Sequence, residues 1–223
     1  MSFVVAIDGP AGTGKGTVTK AVAEKLNLIY VDTGAMYRAV ALKAVQSNIK
    51  LEETEKIEEM LKSISVKLNK KNGKQQVLLD GKDVTKEIRT PLMDEMSSKF
   101  SAIRQIREKM TSLQRKMKDL GNVIMEGRDI GTAVFPDADV KIYLDATTDE
   151  IARRRYKQNL EKGIKCKYED IRKEIEKRNN RDSQRDIAPL KKAEDAVYID
   201  TSNLTIEEVV EKVISIINKT INC

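Results

Sequence analysis

The chain has 223 residues, of which 40% are hydrophobic and 34% charged, with a formal net charge of +6; that balance excludes a disordered chain and is enough for one large hydrophobic core. It contains no histidine and only two distant cysteines, Cys166 and Cys223, so the commonest general base is missing and neither a zinc site nor a disulfide framework is supported. No stretch approaches the roughly 20 apolar residues of a membrane helix, and the opening MSFVVAIDGP lacks the basic region of a secretory signal, so a cytoplasmic protein without membrane contact is expected, and its positive charge points to anionic partners.

Phe3 to Ile7 is a short β-branched run that ends in Asp8-Gly9-Pro10, the pattern of a buried strand entering a glycine-rich turn. Val18, Ala21, Val22 and Leu26 recur at helical spacing and predict a helix over Lys15–Leu26, followed by a second strand over Leu28–Val31. Further helices are expected over Ala35–Val45 and Thr54–Leu61. From Ile64 to Thr85 apolar and polar residues alternate around the turn signal Asn72-Gly73, which predicts a small antiparallel hairpin. Helices at Pro91–Phe100 and Ile103–Leu120 lead to a third core strand, Val123–Met125, and Val140–Leu144 reads as the fourth.

Thr147 and Glu150 have the spacing of a capping box and open a very basic helix that runs to Lys162. A polar helix is expected over Tyr168–Asn180 and a fifth core strand over Val197–Ile199. Thr205 and Glu208 cap a last helix bearing Val209, Val210, Val213, Ile216 and Ile217. Short apolar strands alternating with helices predict an α/β fold with a mostly parallel sheet covered on both faces. The hairpin and the basic helix pair are insertions after core strands, where open α/β sheets bind ligands.

Gly9-Pro10-Ala11-Gly12-Thr13-Gly14-Lys15 has the spacing of a phosphate-binding loop, and it lies between a predicted strand and a predicted helix as that motif requires. Glycines let successive N–H groups curl around phosphates, the helix N-terminus adds its positive dipole end, and Lys15 reaches the β- and γ-phosphates. Residue 16, normally a Ser or Thr whose hydroxyl faces Mg²⁺, is Gly16, with Thr17 following. Direct metal ligation at that position is therefore lost, and GTPases and motor ATPases fit the variant poorly.

Three further segments narrow the reading: Asp32-Thr33-Gly34-Ala35-Met36-Tyr37-Arg38, Gly127-Arg128-Asp129-Ile130-Gly131-Thr132, and Arg178-Asn179-Asn180-Arg181-Asp182-Ser183-Gln184-Arg185. With the GKGT of the phosphate loop, Phe135-Pro136-Asp137-Ala138 and Ala188-Pro189-Leu190, the chain resembles the bacterial cytidylate kinases, P-loop kinases of the nucleoside monophosphate kinase family, over essentially its whole length. The resemblance implies a five-stranded parallel sheet flanked by helices, a small antiparallel β insert and a helical lid. It implies one kinase domain over 1–223, with an acceptor-binding region at 33–120, the β insert at about 62–88 and the lid at 150–187. The implied activity is ATP-dependent phosphorylation of CMP and dCMP, with Mg²⁺ held mainly by ATP phosphates and water and no residue assigned as a metal ligand. A monomer is expected.

By the same resemblance, Gly9, Pro10, Ala11, Gly12, Thr13, Gly14, Lys15, Gly16 and Thr17 bind ATP, and Lys15, Arg128 and Arg185 are catalytic. Thr33, Arg38, Ser98, Arg107, Arg128, Asp129, Arg178, Asp182 and Arg185 bind the acceptor: Arg128 its phosphate, Asp129 with Ser98 and Arg107 the cytosine edge, Arg178 and Asp182 the ribose, and Arg185 the phosphates. Taken alone, Arg38 reads more readily as a solvated helix arginine, Arg128 and Asp129 also admit a local ion pair, and Ser98 and Arg107 read first as ordinary polar helix residues. Arg155 follows the apolar Ile151 by four residues and shares its predicted face, and at least one of Arg153, Arg154 and Arg155 is expected to meet the nucleotide; Arg181 carries no assigned role. Two alternatives remain open: a kinase for UMP, dTMP or another small metabolite, and a basic nucleic-acid-binding ATPase. Aromatic residues at 4% and no tryptophan offer no stacking platform for single strands, which weighs against the second.

Overall fold

The computed structural model describes residues 2–71, 74–161 and 163–221, so the Asn72-Gly73 turn signal, Lys162 and Cys223 lie outside the described residues. The chain forms two compact units, Met1–Tyr30 with Met117–Cys223, and Val31–Lys116.

The first unit is built on a five-stranded sheet. β1 (Val4–Asp8) pairs in parallel with β6 (Val123–Glu126) on one side and β7 (Val140–Asp145) on the other, and β7 pairs in parallel with β8 (Val197–Asp200). β2 (Ile29–Asp32) adjoins β6, which gives the order β2-β6-β1-β7-β8. Strand alternation divides the two faces. Val5, Ile7, Ile124, Val140, Ile142, Leu144 and Ile199 join Val18, Val22 and Ala23 of α1 (Lys15–Lys25) and Val209, Val210, Val213 and Ile217 of α8 (Ile206–Ile221) in one buried cluster. Burying side chains of this size contributes about 1.5–3 kcal/mol each, the main force holding these helices to the sheet. Val4, Ala6 and Asp8 alternate with the cluster members Val5 and Ile7 and so point to the opposite face, and all three are buried.

Both predicted helix caps form, to different extents. At α8, Thr205 Oγ1 accepts from the Glu208 N–H at 3.2 Å while Glu208 Oε2 accepts from the Thr205 N–H at 2.8 Å, a complete capping box. At α6 (Thr148–Glu161), Thr147 Oγ1 accepts from the Glu150 N–H at 3.3 Å, but the Glu150 carboxylate turns to Arg153 and Arg154, both at 2.8 Å. Charge-assisted bonds to arginine outcompete the return bond to a neutral amide. α7 (Tyr168–Gln184) continues beyond the expected Asn180 and pairs with α6 through an edge-on Tyr156–Tyr168 contact and the Arg172–Asp149 ion pair at 2.7 Å. A turn of π-helix, Ile130–Val134, follows β6; a five-residue element of that rarity has no periodic signature in sequence.

The second unit centres on α2 (Thr33–Gln46), whose Ala35, Met36, Ala39, Val40, Ala41, Leu42 and Ala44 are buried, a helix apolar nearly all round. It packs on α4 (Pro91–Phe100) and α5 (Arg104–Arg115), and α5 packs on α3 (Thr54–Ser63). Phe100, Ile57, Ile106 and Met110 are fully buried among these helices. The predicted hairpin is present as β3 (Val66–Lys71) and β4 (Lys74–Leu79), and β5 (Lys82–Asp83) extends it to three strands. The Asp80-Gly81 pair between β4 and β5 has φ of 50° and 83°, the left-handed geometry of a tight reversal. The helix expected over Ile103–Leu120 ends at Arg115 and tightens into a 3₁₀ turn over Lys116–Leu120. Asp32 caps α2: its Oδ1 accepts from the Ala35 N–H at 2.8 Å, a bond worth about 1 kcal/mol to a helix, which starts that helix two residues before the expected Ala35.

Candidate active site

In the first unit the loop from Gly9 to Gly14 leaves β1 and delivers the N-terminus of α1. Gly9 has φ of 145°, and a β-carbon there would stand 1.9 Å from the Leu144 carbonyl oxygen; only glycine lets the loop pass this close to β7. The first turn of α1 carries no acidic residue, so its positive dipole end is left for an anion. Thr13 Oγ1 donates to the Pro10 carbonyl at 3.2 Å, and Lys15 Nζ donates to the same carbonyl and lies 3.4 Å from Thr13 Oγ1. The Lys15 ammonium is buried, and burial first, then Arg128 and Arg178, hold its pKa well below the usual lysine value, against the opposing pull of Glu126 and Asp8. Two arginines crowding one desolvated lysine form a site short of negative charge.

Glu126, the last residue of β6, is the acidic residue that faces the start of α1. A β-carbon at residue 16 would meet its Oε1 at 2.9 Å, so a Ser or Thr there would share the space with a carboxylate that can swing aside. Tyr30 Oη donates to the same Glu126 oxygen. Thr17 is exposed. Among the described residues no three acidic or thiol side chains converge as a metal site.

The segment after β6 carries Arg128 and Asp129. Arg128 Nε donates to Asp182 Oδ2 at 3.3 Å, and Arg185 lies 3.6 Å from Asp129 Oδ1, with Asp129, Asp182 and the Arg185 side chain buried. Arg185 Nε also donates to the Ala188 carbonyl at 2.7 Å. The ends of α7 and β6 are therefore joined by two ion pairs, which brings together Arg128, Asp129, Asp182 and Arg185. Asn179 of α7 accepts from the Ala11 N–H at 3.2 Å, so the arginine-rich helix reaches the phosphate loop itself. α6 buries Ile151 and Ala152, with Ile151 Cγ2 2.4 Å from where a Gly12 β-carbon would stand, while Arg153 and Arg155 are exposed. Arg154 is the inward-turned member, donating to the Thr201 carbonyl at 2.6 Å, while Thr201 Oγ1 lies 3.3 Å from the Thr13 carbonyl.

In the second unit Thr33 is buried in the first turn of α2. Arg38, one turn on, grips Asp94 through Nε at 3.0 Å and Nη2 at 2.7 Å, and Asp32 Oδ2 accepts from Arg89 at 2.7 Å. Ser98 and Arg107 are buried. The Arg107 guanidinium stacks over the Tyr37 ring at 5.4 Å and donates to the Ser101 carbonyl at 3.2 Å. Such packing fixes the guanidinium plane, as selective recognition of a flat polar edge requires. Sequence reasoning left Asp8, Glu126, Asp94, Tyr37, Asn179 and Thr201 without a role. A carboxylate at the end of a core strand was the signal available for the first two; the other four are recognisable only by what they touch.

A family model described as cytidylate kinase matches residues 5–219. The chain is 49% identical over 217 residues to a cytidylate kinase of Caldicellulosiruptor saccharolyticus, covering 97% of this chain and 96% of the relative. It is 50% identical over 215 residues to that of Lactobacillus johnsonii, covering 96% and 94%. A crystal structure of an uncharacterized protein from Eubacterium ventriosum superposes with a TM-score of 0.54 over 98% of this chain and 99% of the other at 12% identity, a likeness of fold alone. With a phosphate loop between β1 and α1, a buried arginine–aspartate cluster beside it and this match along nearly all its length, the chain belongs to the cytidylate kinase family.

Proposed function

We propose that the protein transfers the γ-phosphoryl group of ATP to CMP and dCMP, giving CDP and dCDP. The observation that carries this reading is the crowding of Arg128 and Arg178 on the buried Lys15 at the phosphate loop, in a chain of this family. Phosphoryl transfer asks the protein for alignment and for charge stabilisation on the moving group, and little covalent chemistry. The acceptor is itself a phosphate anion, so a chain without histidine needs no general base to activate it.

Residues 9–17 hold the ATP phosphates in this proposal, with Lys15, Arg128 and Arg185 stabilising the transition state. Thr33 and Arg38 bind the acceptor, Arg38 at its phosphate, where that dianion would exchange with the Asp94 carboxylate. Arg107 and Ser98 take the carbonyl and ring nitrogen of cytosine and Asp129 takes its exocyclic amino group, a donor that uracil lacks. Arg178 and Asp182 hold the ribose. Mg²⁺ would supply charge neutralisation on the triphosphate, and the donor set fits an ion carried on phosphate oxygens and water, since residue 16 has no hydroxyl and Glu126 occupies the space beside it. Residues 150–187 serve as a lid within one kinase domain, closing when the acceptor is seated so that water does not take the phosphoryl group. The proposed enzyme is cytoplasmic and monomeric, without nucleic-acid partners; no described helix is long and apolar enough to cross a membrane.

The test is ADP release measured across CMP, dCMP, UMP, AMP, GMP and dTMP, with single-stranded nucleic acid as a control. CMP and dCMP should lead. Equal turnover of UMP or dTMP would move the reading to a related pyrimidine kinase, and stimulation by nucleic acid would refute it.

A further inference from the structure

Asp8 is the last residue of β1 and is buried, yet none of the steps above uses it. Its two oxygens are divided between two amides of the segment after β6: Oδ1 accepts from the Ile130 N–H at 2.9 Å and Oδ2 from the Gly131 N–H at 2.7 Å. These are the first two residues of the π-helical turn. Helix starts leave such N–H groups without an internal partner, and the Asp129 side chain, at the capping position, does not bond to them. A carboxylate from a different strand therefore caps the turn. The turn in turn anchors Asp129 from the other direction, since the Asp129 carbonyl accepts from the Ala133 N–H at 2.9 Å and the Val134 N–H at 3.2 Å.

We infer that Asp8 is a positioning residue for the acceptor: its ionised carboxylate clamps the Ile130–Gly131 amides and so fixes the segment on which Arg128 and Asp129 are carried. The inference rests on the proposed roles of Arg128 and Asp129. Asp8 is not placed as a base, because both oxygens are committed to backbone donors.

The groups facing Asp8 are Lys15 of α1, Asp129 after β6, and Tyr143 of β7, which feels its charge. Lys141 of β7 lies beside Gly131, within 3.2 Å of where its β-carbon would be, but its ammonium is turned to the Pro136 carbonyl and Asp195. Burial pushes the Asp8 pKa up to about 6, with the two amide bonds and Lys15 pulling down and Asp129 pushing up. The clamp is therefore charged above that pH and neutralised below it. A protonated carboxyl can offer the two amides only weakened acceptance, and the asparagine amide would point an N–H at one of them.

The test is Asp8→Asn with steady-state kinetics at varied CMP and varied ATP between pH 7.5 and 5. At pH 7.5 the KM for CMP should rise about tenfold, the scale of one lost bond to a charged acceptor, with the KM for ATP changed by less than about twofold. The acceptor phosphate titrates near the same pH, at about 6, but does so equally for both proteins and cancels in their ratio. The advantage of wild type over the variant should therefore shrink to within about twofold by pH 5, as Asp8 itself becomes neutral. Parallel rises in the KM for CMP and ATP, or a ratio constant with pH, would overturn the inference.

If Asp8→Asn does not fold, hydrogen exchange in the wild-type protein decides. After correction for intrinsic rates, protection of the Ile130 and Gly131 amides should fall between pH 7.5 and 5 relative to the β1 amides, and unchanged protection would overturn the clamp. A wild-type protein that does not phosphorylate CMP would remove the proposed function, while the exchange measurement would still judge Asp8.

Discussion

Replacing Lys15 with methionine should damage catalysis and stabilise the folded protein at the same time. Lys15 is 4% exposed, and its ammonium has the Pro10 carbonyl and Thr13 Oγ1 as neighbours and stands in the field of Arg128 and Arg178. Its charge is kept against a desolvation cost that nearby Glu126 and Asp8 offset only in part. A methionine of similar length removes the charge and keeps most of the packing. By the precedent of buried charges replaced by apolar side chains, the gain should be about 1–3 kcal/mol, roughly 2–12 °C in Tm for a chain of this size.

In the proposed reaction the same substitution removes a charge on the transferring phosphoryl group, and it should lower kcat at saturating ATP by about a hundredfold or more. The pH dependence has a definite sign. The lysine pKa is lowered in the folded state, so between the folded value and the ordinary value of 10.5 the unfolded chain binds more protons, and wild-type stability rises with pH. The advantage of Lys15→Met should be largest below the folded pKa and shrink as pH climbs toward the unfolded value. Calorimetry at several pH values beside single-turnover kinetics measures both effects. A lower Tm for the variant would refute the electrostatic account of the site, and near-normal kcat would refute the assignment of the loop.

Three other substitutions test separate parts of the structure. Arg185→Ala should reduce acceptor kcat/KM by about 2–4 kcal/mol of transition-state stabilisation with ATP affinity little changed; kinetics with CMP varied, beside direct ATP titration, would expose a merely structural arginine by an unchanged kcat/KM. Asp129→Asn should erode the preference for CMP over UMP more than it erodes ATP binding, read as the ratio of the two kcat/KM values, and a preserved ratio would remove Asp129 from base recognition. Gly9→Ala should cost more than about 3 kcal/mol, because its β-carbon meets backbone at 1.9 Å where no rotamer change can relieve it; a urea midpoint close to that of wild type would show that the loop and β7 can separate cheaply.

Much of this architecture was legible in the residues themselves. Strands such as Val4–Asp8 and Val140–Asp145 are short apolar runs between polar turns, and α8 carries its buried valines and isoleucines at helical spacing behind a capping box. Local periodicity and capping chemistry are enough to place such elements. The phosphate loop was legible for a similar reason: its chemistry lies in consecutive backbone amides, so spacing alone carries it. The arginine and aspartate positions around it were read through resemblance, because a lone Arg38 or Arg107 looks like any polar helix residue.

What tertiary structure decided were the pairings between distant segments. Asp8 and Gly131 are separated by more than half the chain, as are Ala11 and Asn179, and no local pattern announces that either pair will meet. The first two amides of the π-helical turn over Ile130–Val134 are satisfied by a carboxylate from another strand, and Gly16 lies against the Glu126 carboxylate from the end of β6. Arg154 turns to the Thr201 carbonyl, a partner from a distant segment that a helical wheel cannot show. Periodicity says which face of an element is buried; what that face meets depends on how the strands are ordered, and that order is a property of the folded chain.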